Sequence, residues 1–180
     1  VFDKLMAEMG RYGGYVLNAR QIDALTQAAF TKDPKDGKEH VNKDFVGKDA
    51  AVLALAAGVR VPPTTQLLVG ETSADHLFVQ HEQMMPFIPF VRVRNVQQAI
   101  EAALQSEHGF RHTALIHSQN IQTITEFGRR AATTLFVVNG PSMAGLGLGG
   151  QGYLSYSIAT PTGEGITTPL TFTRYRRMML

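Results

Sequence analysis

The 180-residue sequence contains no cysteine. That absence excludes disulfides, thiolate-ligated metal sites and a cysteine nucleophile within these residues. An excess of one charge is also lacking: 17 Lys and Arg stand against 15 Asp and Glu, a net charge of +2, too small to point by itself to nucleic acid. No apolar run approaches the ~18 residues of a membrane-spanning helix. The opening VFDKLMAEMG mixes acids with its apolar residues and so does not read as a signal peptide. It also has no initiator Met, and the expectation is that the chain is a piece of something longer. What is present is 44% apolar and 18% charged, the balance of a globular domain able to bury one core.

The pattern along the chain predicts an α/β fold. Val1 to Phe30 reads as two helical pieces broken at Gly13-Gly14, with Asn18 capping the second and Ile22, Leu25, Ala29 and Phe30 forming its apolar stripe. Thr31 to Lys48 is polar and Lys-rich and reads as a surface loop. Lys48 to Ala57 reads as a short Ala-rich helix stopped by Gly58, and Pro62-Pro63 then forces extended chain. Ile88–Val93, Thr113–His117 and Thr134–Val138 read as strands. Between them lie a helix capped by Asn95, with Val96, Ile100, Ala103 and Leu104 on one face and Gly109 closing it, and a helix capped by Ser118, with Ile121, Ile124 and Phe127 to Ala131 inward. A β-α-β-α-β run requires a parallel sheet with right-handed crossovers, so a three-layer domain with helices on both faces is expected. Ligands in such sheets sit beyond the carboxyl ends of strands, which here are the turn Ser118-Gln119-Asn120 and the stretch opening at Asn139. Residues 1–168 are expected to form this domain. Residues 169–180 are expected to form a C-terminal β arm, an exposed edge unless a partner pairs with it.

VVNGPSMAGLGLGG, Val137 to Gly150, contains G-x-G-x-x-G at Gly145, Gly147 and Gly150. A dinucleotide fingerprint needs a helix N-terminus directly after the glycines to bind phosphate. Gln151-Gly152-Tyr153-Leu154-Ser155 will not start one, and no acidic residue lies about 20 positions on at the end of a second strand. The Rossmann reading is rejected; a flexible loop or a wall of a substrate pocket remains. His81-Glu82 begins an H-E-x-x-H zinc motif, but position 85 is Met. His108, His112 and His117 span a helix end, a turn and a strand with no thiol beside them and Glu107 as the one adjacent acid, so hydrogen bonding or solvation outweighs metal ligation. QMMPFIPF is either core packing or a soft ligand surface. Glu82 is a solvated carboxylate or an acceptor for a ligand hydroxyl. Arg174, Arg176 and Arg177 suit phosphate or a charged edge strand. Ser142 has no visible His-Asp partners and is not taken as a nucleophile.

Four stretches, RYGGYVLNARQIDAL, VQHEQMMPFIPFVRV, GFRHTALIHSQN and the run from TTLFVVNGPSMAGLGLGG to TFTRYRR, together resemble the CoA-acylating aldehyde dehydrogenases. The resemblance is nearest to the propionaldehyde and acetaldehyde enzymes of bacterial microcompartments that serve propanediol or ethanolamine breakdown. It covers essentially the whole chain, and the NGPSMAGLGLGG run is its most specific part. It implies the catalytic α/β domain of that fold, with the C-terminal strand as an arm joining subunits of a homo-oligomer. It also implies a location in the cytoplasm, inside a microcompartment whose shell is a further partner, with neither nucleic acid nor membrane. The family's nucleophilic Cys and its Rossmann-type cofactor domain are not among these residues, so the chain is expected to be inactive alone. In the family a Cys thiolate attacks the aldehyde, hydride passes to NAD+, and CoA takes the acyl group. Matched residue by residue, Glu82 falls on the glutamate that binds the nicotinamide ribose. Met84, held by a turn at Pro86, falls on the position packing against the nicotinamide, where typical aldehyde dehydrogenases carry Phe. Pro141, Ser142, Met143 and Ala144 fall on the loop lining the aldehyde pocket, the small Ala144 leaving room for an acyl chain or pantetheine arm. His112 lies in a motif of the acylating branch, with a minor role near the site. A non-catalytic binding or assembly module, and more remotely a nucleotide-binding domain, are the alternative readings.

Overall fold

Gly13, at φ +92°, separates the first helix from the first strand. The computed structural model describes residues 1–149, 154–156 and 166–179, which divide into two compact units, Val1–Arg94 and Asn95–Leu180. The division falls inside the stretch expected to form one domain.

In the first unit, α1 (Phe2–Arg11) leads to β1 (Gly14–Val16), a strand between the two helical pieces that the sequence pattern does not show. Asn18 caps α2 (Ala19–Ala29) through a reciprocal capping box: its side chain accepts from Gln21 N at 3.0 Å while Gln21 Oε1 accepts from Asn18 N at 2.9 Å. The stretch read as a surface loop contains a small hairpin, β2 (Phe30–Lys32) with antiparallel β3 (Glu39–Val41). Its turn is built by Asp33, whose carboxylate accepts from Lys35 N at 2.7 Å and whose carbonyl accepts from Gly37 N at 2.8 Å. After α3 (Ala50–Ala56), β4 (Leu67–Thr72) and α4 (Leu77–Gln80) comes β5 (Phe87–Val91). The three strands form one parallel sheet in the order β1-β4-β5, with Val16 beside Val69 and Val69 beside Ile88.

The stripe of α2 faces this unit's core as its period predicts: Ile22, Leu25, Ala29 and Phe30 are buried with Leu53, Leu68, Phe78, Met85 and Phe87. Leu25, Leu53 and Leu68 are 0% exposed, and each such burial stabilises the fold by ~1.5–3 kcal/mol. Phe78 meets Phe30 at 4.9 Å and Phe87 at 4.6 Å, both edge-on.

In the second unit, Asn95 caps α5 (Val96–Ser106), accepting from Gln98 N at 2.9 Å, and Gly109 sits just past its end at φ +79°. β6 (Thr113–Ile116) and β7 (Leu135–Val138) pair in parallel around α6 (Ile121–Ala131), with Thr113 beside Leu135 and Ile116 beside Val138. The expected β-α-β-α-β run is therefore divided between two sheets: β5 pairs with β4, and β6 with β7. The cap of α6 is Asn120 rather than Ser118: Asn120 Oδ1 accepts from both Gln122 N and Thr123 N, whereas Ser118 Oγ accepts from Asn120 N. A cap stands directly before the first helical residue, and that residue is Ile121. Ile100, Phe127 and Ala131 form the core with Phe136, which meets Phe127 edge-on at 5.6 Å. Ile121 and Val96, expected inward, open their helices and remain 70% and 51% exposed.

The stretch from Leu170 does not begin as a strand. Pro169–Phe172 form a 3-10 turn, with Pro169 in its first position and Thr168 N donating to Thr171 Oγ1 at 3.0 Å. Residues 173–179 carry no strand pairing among the described residues, since a strand exists only where a neighbour completes its ladder. No helix among the described residues is long and apolar enough to cross a membrane.

Candidate functional site

Two segments singled out in the sequence form local structures of their own, one in each unit. In the first unit α4 is capped by His76, whose Nδ1 accepts from Phe78 N at 3.2 Å. Residues 82–84 beyond it are irregular and lead through Met85 and Pro86 into β5. Met84 is left-handed, at φ +49°, and 71% exposed, while the adjacent Met85 is 8% exposed and belongs to the core. The Met84 carbonyl accepts from Gly47 N at 3.1 Å, and the Pro86 carbonyl accepts from Leu68 N at 2.8 Å, so both flanks of the turn are tied down. A non-glycine residue held at positive φ costs roughly 1–3 kcal/mol and concentrates at ligand clamps. Here the conformation sends one methionine into the core and its neighbour out.

Glu82, Gln83 and Met84 line a groove of about 580 Å3 together with Val41, Lys43 and Val46. Its size is that of small-molecule sites in general. Pro86 supports the turn and does not line it. The groove offers a carboxylate acceptor, an ammonium donor and an apolar wall of Met84, Val41 and Val46, a combination that suits a flat ring carried on a sugar. Neither Glu82 nor Lys43 has an ion-pair partner among the described residues.

In the second unit β7 exits into Asn139, at φ +53°. Its Oδ1 accepts from Ser118 N at 2.8 Å, its Nδ2 donates to Ser118 O at 2.8 Å, and its own N–H donates to Ile116 O at 2.9 Å. The carboxyl ends of β6 and β7 are thereby joined, and both loops expected to leave them do so. Pro141 then starts a 3-10 turn, Ser142–Leu146, ended by Gly147 at φ +95°. Pro141, Ser142 and Met143 are exposed, and Ala144 is half-buried. The turn folds back onto β7: a Cβ on Gly145 would lie 3.0 Å from Val137 Cγ2 and 3.3 Å from Leu135 Cβ. Gly145 thus serves close packing and Gly147 a positive φ; Gly150 lies outside the described residues.

His112 is exposed and precedes β6, at the other end of the strand pair from Asn139. Its Nδ1 lies 2.7 Å from Thr113 Oγ1 and its carbonyl accepts from Leu135 N at 3.0 Å; no hydrogen bond joins it to Pro141–Ala144 among the described residues. His108, His112 and His117 form no metal-binding cluster among the described residues. The one group with suitable spacing there is Asp33, Asp36 and His40 on the exposed hairpin. Ser142 has no His-Asp pair bonded to it among the described residues. Arg174, Arg176 and Arg177 are exposed in the C-terminal stretch.

Sequence reading named Asn139 only as the start of a loop and missed Val41, Lys43 and Val46. An Asn before Gly-Pro at the end of a strand is a signal for positive φ and could have singled out Asn139. Nothing local marks Lys43 or Val46, which reach the groove through the hairpin.

The acetylating acetaldehyde dehydrogenase of Salmonella typhimurium is 45% identical over 180 residues, covering 100% of this chain and 38% of its own length. The CoA-propanoylating propanal dehydrogenase of Citrobacter freundii is 41% identical, with the same shares covered. A propionaldehyde dehydrogenase from the Clostridium phytofermentans fucose utilisation bacterial microcompartment matches 99% of this chain and 40% of its own, at TM-score 0.89 and 36% identity. The Rhodopseudomonas palustris propionaldehyde dehydrogenase, solved with bound propionyl-CoA, matches 96% of this chain and 37% of its own, at TM-score 0.88 and 38% identity. No protein-family model matches the chain. The chain spans about 38% of the length of the curated relatives. Over that span, in sequence and in fold, it belongs to the CoA-acylating aldehyde dehydrogenases of the acetaldehyde and propanal type.

Proposed function

We propose that these residues are the catalytic-domain part of an enzyme that oxidises a short aldehyde, propionaldehyde or acetaldehyde, to its acyl-CoA. The groove of the first unit takes the nicotinamide ribose of NAD. Glu82 accepts hydrogen bonds from the ribose hydroxyls, Met84 packs against the ring, and Pro86 fixes the turn that presents them. The observation that carries this reading is that Glu82 and Met84 line one cavity, on a turn held in a strained conformation from both sides. In such an enzyme NAD supplies the hydride acceptor and CoA the acyl acceptor; the residues here bind and orient.

In the second unit Pro141, Ser142, Met143 and Ala144 wall the acyl pocket, with the small Ala144 setting its depth. His112, whose described bonds go to Thr113 and Leu135, takes a minor role near the site. The exposed residues 169–179 suit pairing with a second subunit, which would supply the ladder they lack. The microcompartment origin of the Clostridium phytofermentans relative supports a microcompartment setting. The thiol nucleophile of the reaction is not among these residues, so the chain by itself is expected to be inactive.

The test is Glu82→Gln in the enzyme that carries this sequence. Losing a charged acceptor weakens a hydrogen bond worth ~1.5–3 kcal/mol, so the KM for NAD+ should rise about tenfold or more while the KM for CoA changes less. An unchanged KM for NAD+ removes Glu82 and its groove from the site.

A further inference from the structure

We propose that Lys43 is a further ligand-binding residue of the Glu82–Met84 groove, meeting the 5′-phosphate of a nicotinamide mononucleotide group. The inference rests on the reading of that groove as the nicotinamide half-site. Three observations support it. First, Lys43 lines the same cavity as Glu82 and Met84, so one ligand spanning the groove meets both charges. Second, neither charge has an ion-pair partner among the described residues. The cation is thus free to meet a ligand anion and the carboxylate to meet ligand hydroxyls. In a ribose 5′-phosphate those two groups stand on opposite sides of one sugar ring.

Third, the backbone under Lys43 is anchored. Lys43 opens a 3-10 turn, Lys43–Phe45, capped by Asn42, whose Oδ1 accepts from Asp44 N at 3.1 Å. Asn42 Nδ2 also donates to Ala28 O at 2.9 Å, and Asn42 N donates to Ala29 O at 2.8 Å. The cap is therefore bound to the carboxyl end of α2, whose stripe lies in the core. A flexible side chain on a fixed backbone position loses less entropy on binding than one on a mobile loop. An ammonium reaching a phosphate also forms a charge-assisted bond, stronger than a neutral one.

The probes are nicotinamide mononucleotide and nicotinamide riboside, which differ only in the phosphate, titrated against the full chain. The wild type should bind the mononucleotide about tenfold more tightly. Lys43→Met should abolish that preference and leave the Kd of the riboside unchanged, and Lys43→Arg should keep it. Lys48→Met removes a lysine that does not line the groove and should also keep it. Lys43 is exposed, so its variants should have unaltered circular dichroism. A preference that survives Lys43→Met, or that Lys48→Met diminishes equally, overturns the assignment; if Glu82→Gln still weakens the riboside, the groove reading stands without it. If neither probe binds, or Glu82→Gln weakens neither, the groove reading fails and this inference fails with it.

Discussion

Asn139 and Ser118 bind each other through a two-way amide clasp: Ser118 N donates to Asn139 Oδ1 and Asn139 Nδ2 donates to Ser118 O, both at 2.8 Å. The clasp spans the carboxyl ends of two parallel strands and sets the direction in which Pro141–Ala144 depart. It works only with a side chain that both donates and accepts, on a backbone at φ +53°, a conformation that Asn tolerates better than most residues.

Asn139→Ala removes both bonds and leaves the backbone strain in place. It should destabilise the fold by about 1–2 kcal/mol, the effect of two exposed hydrogen bonds and an unfavourable φ. Asn139→Gly removes the bonds but relieves the strain, so it should cost less. Urea denaturation of the two variants checks this, and equal losses would show that the left-handed backbone contributes nothing.

Gly70 in β4 and Ile22 in α2 fit without a spare methyl. A Cβ at Gly70 would lie 2.5 Å from Ile22 Cδ1 and 3.1 Å from its Cγ1, and Ile22 is only 4% exposed. Gly70→Ala should cost ~1–3 kcal/mol as overpacking. Ile22→Val alone should cost ~0.5–1.5 kcal/mol. The double variant should lose clearly less than the sum, since the valine gives up the colliding methyl. Strict additivity in a double-mutant cycle would mean that Ile22 swings aside at no cost.

His76 makes stability depend on pH. Its burial lowers its pKa from the ordinary 6.5, with the carboxylates of Asp23 and Asp75 acting in the opposite direction. Its Nδ1 accepts the capping bond from Phe78 N, a role open only to the neutral ring. A depressed folded pKa means that the unfolded chain takes up the proton first. The stability is therefore complete above 6.5 and is lost as pH falls through the lower, folded value. His76→Asn keeps a capping acceptor and should flatten this part of the stability–pH curve. A slope that persists in the variant would assign it to another group.

Much of the fold is legible where local signals decide it. Asn18, Asn95, Gly58 and Gly109 mark helix ends by capping chemistry that acts within a few residues. The stripe Ile22, Leu25, Ala29, Phe30 reads as buried and is. β4 was not legible, because Leu67 to Thr72 is a short run interrupted by Gly70; only the sheet on either side makes it a strand. The misplaced cap on α6 has a similar origin, since Ser118 and Asn120 are both good caps and the helix start decides between them. At the candidate site, Glu82 and Met84 could be singled out through the family resemblance. Lys43 could not, because roughly forty residues of chain separate it from Glu82 and only the fold of the hairpin closes that distance.

The sequence by itself determined what these residues cannot do and to which family they belong. With no cysteine there is no thiol nucleophile among them. Tertiary structure decided what touches what. It set β5 beside β4, turned Met84 outward while burying Met85, and brought Lys43 into the groove with Glu82. Those outcomes depend on pairing and packing between distant segments, and such contacts have no local pattern to announce them.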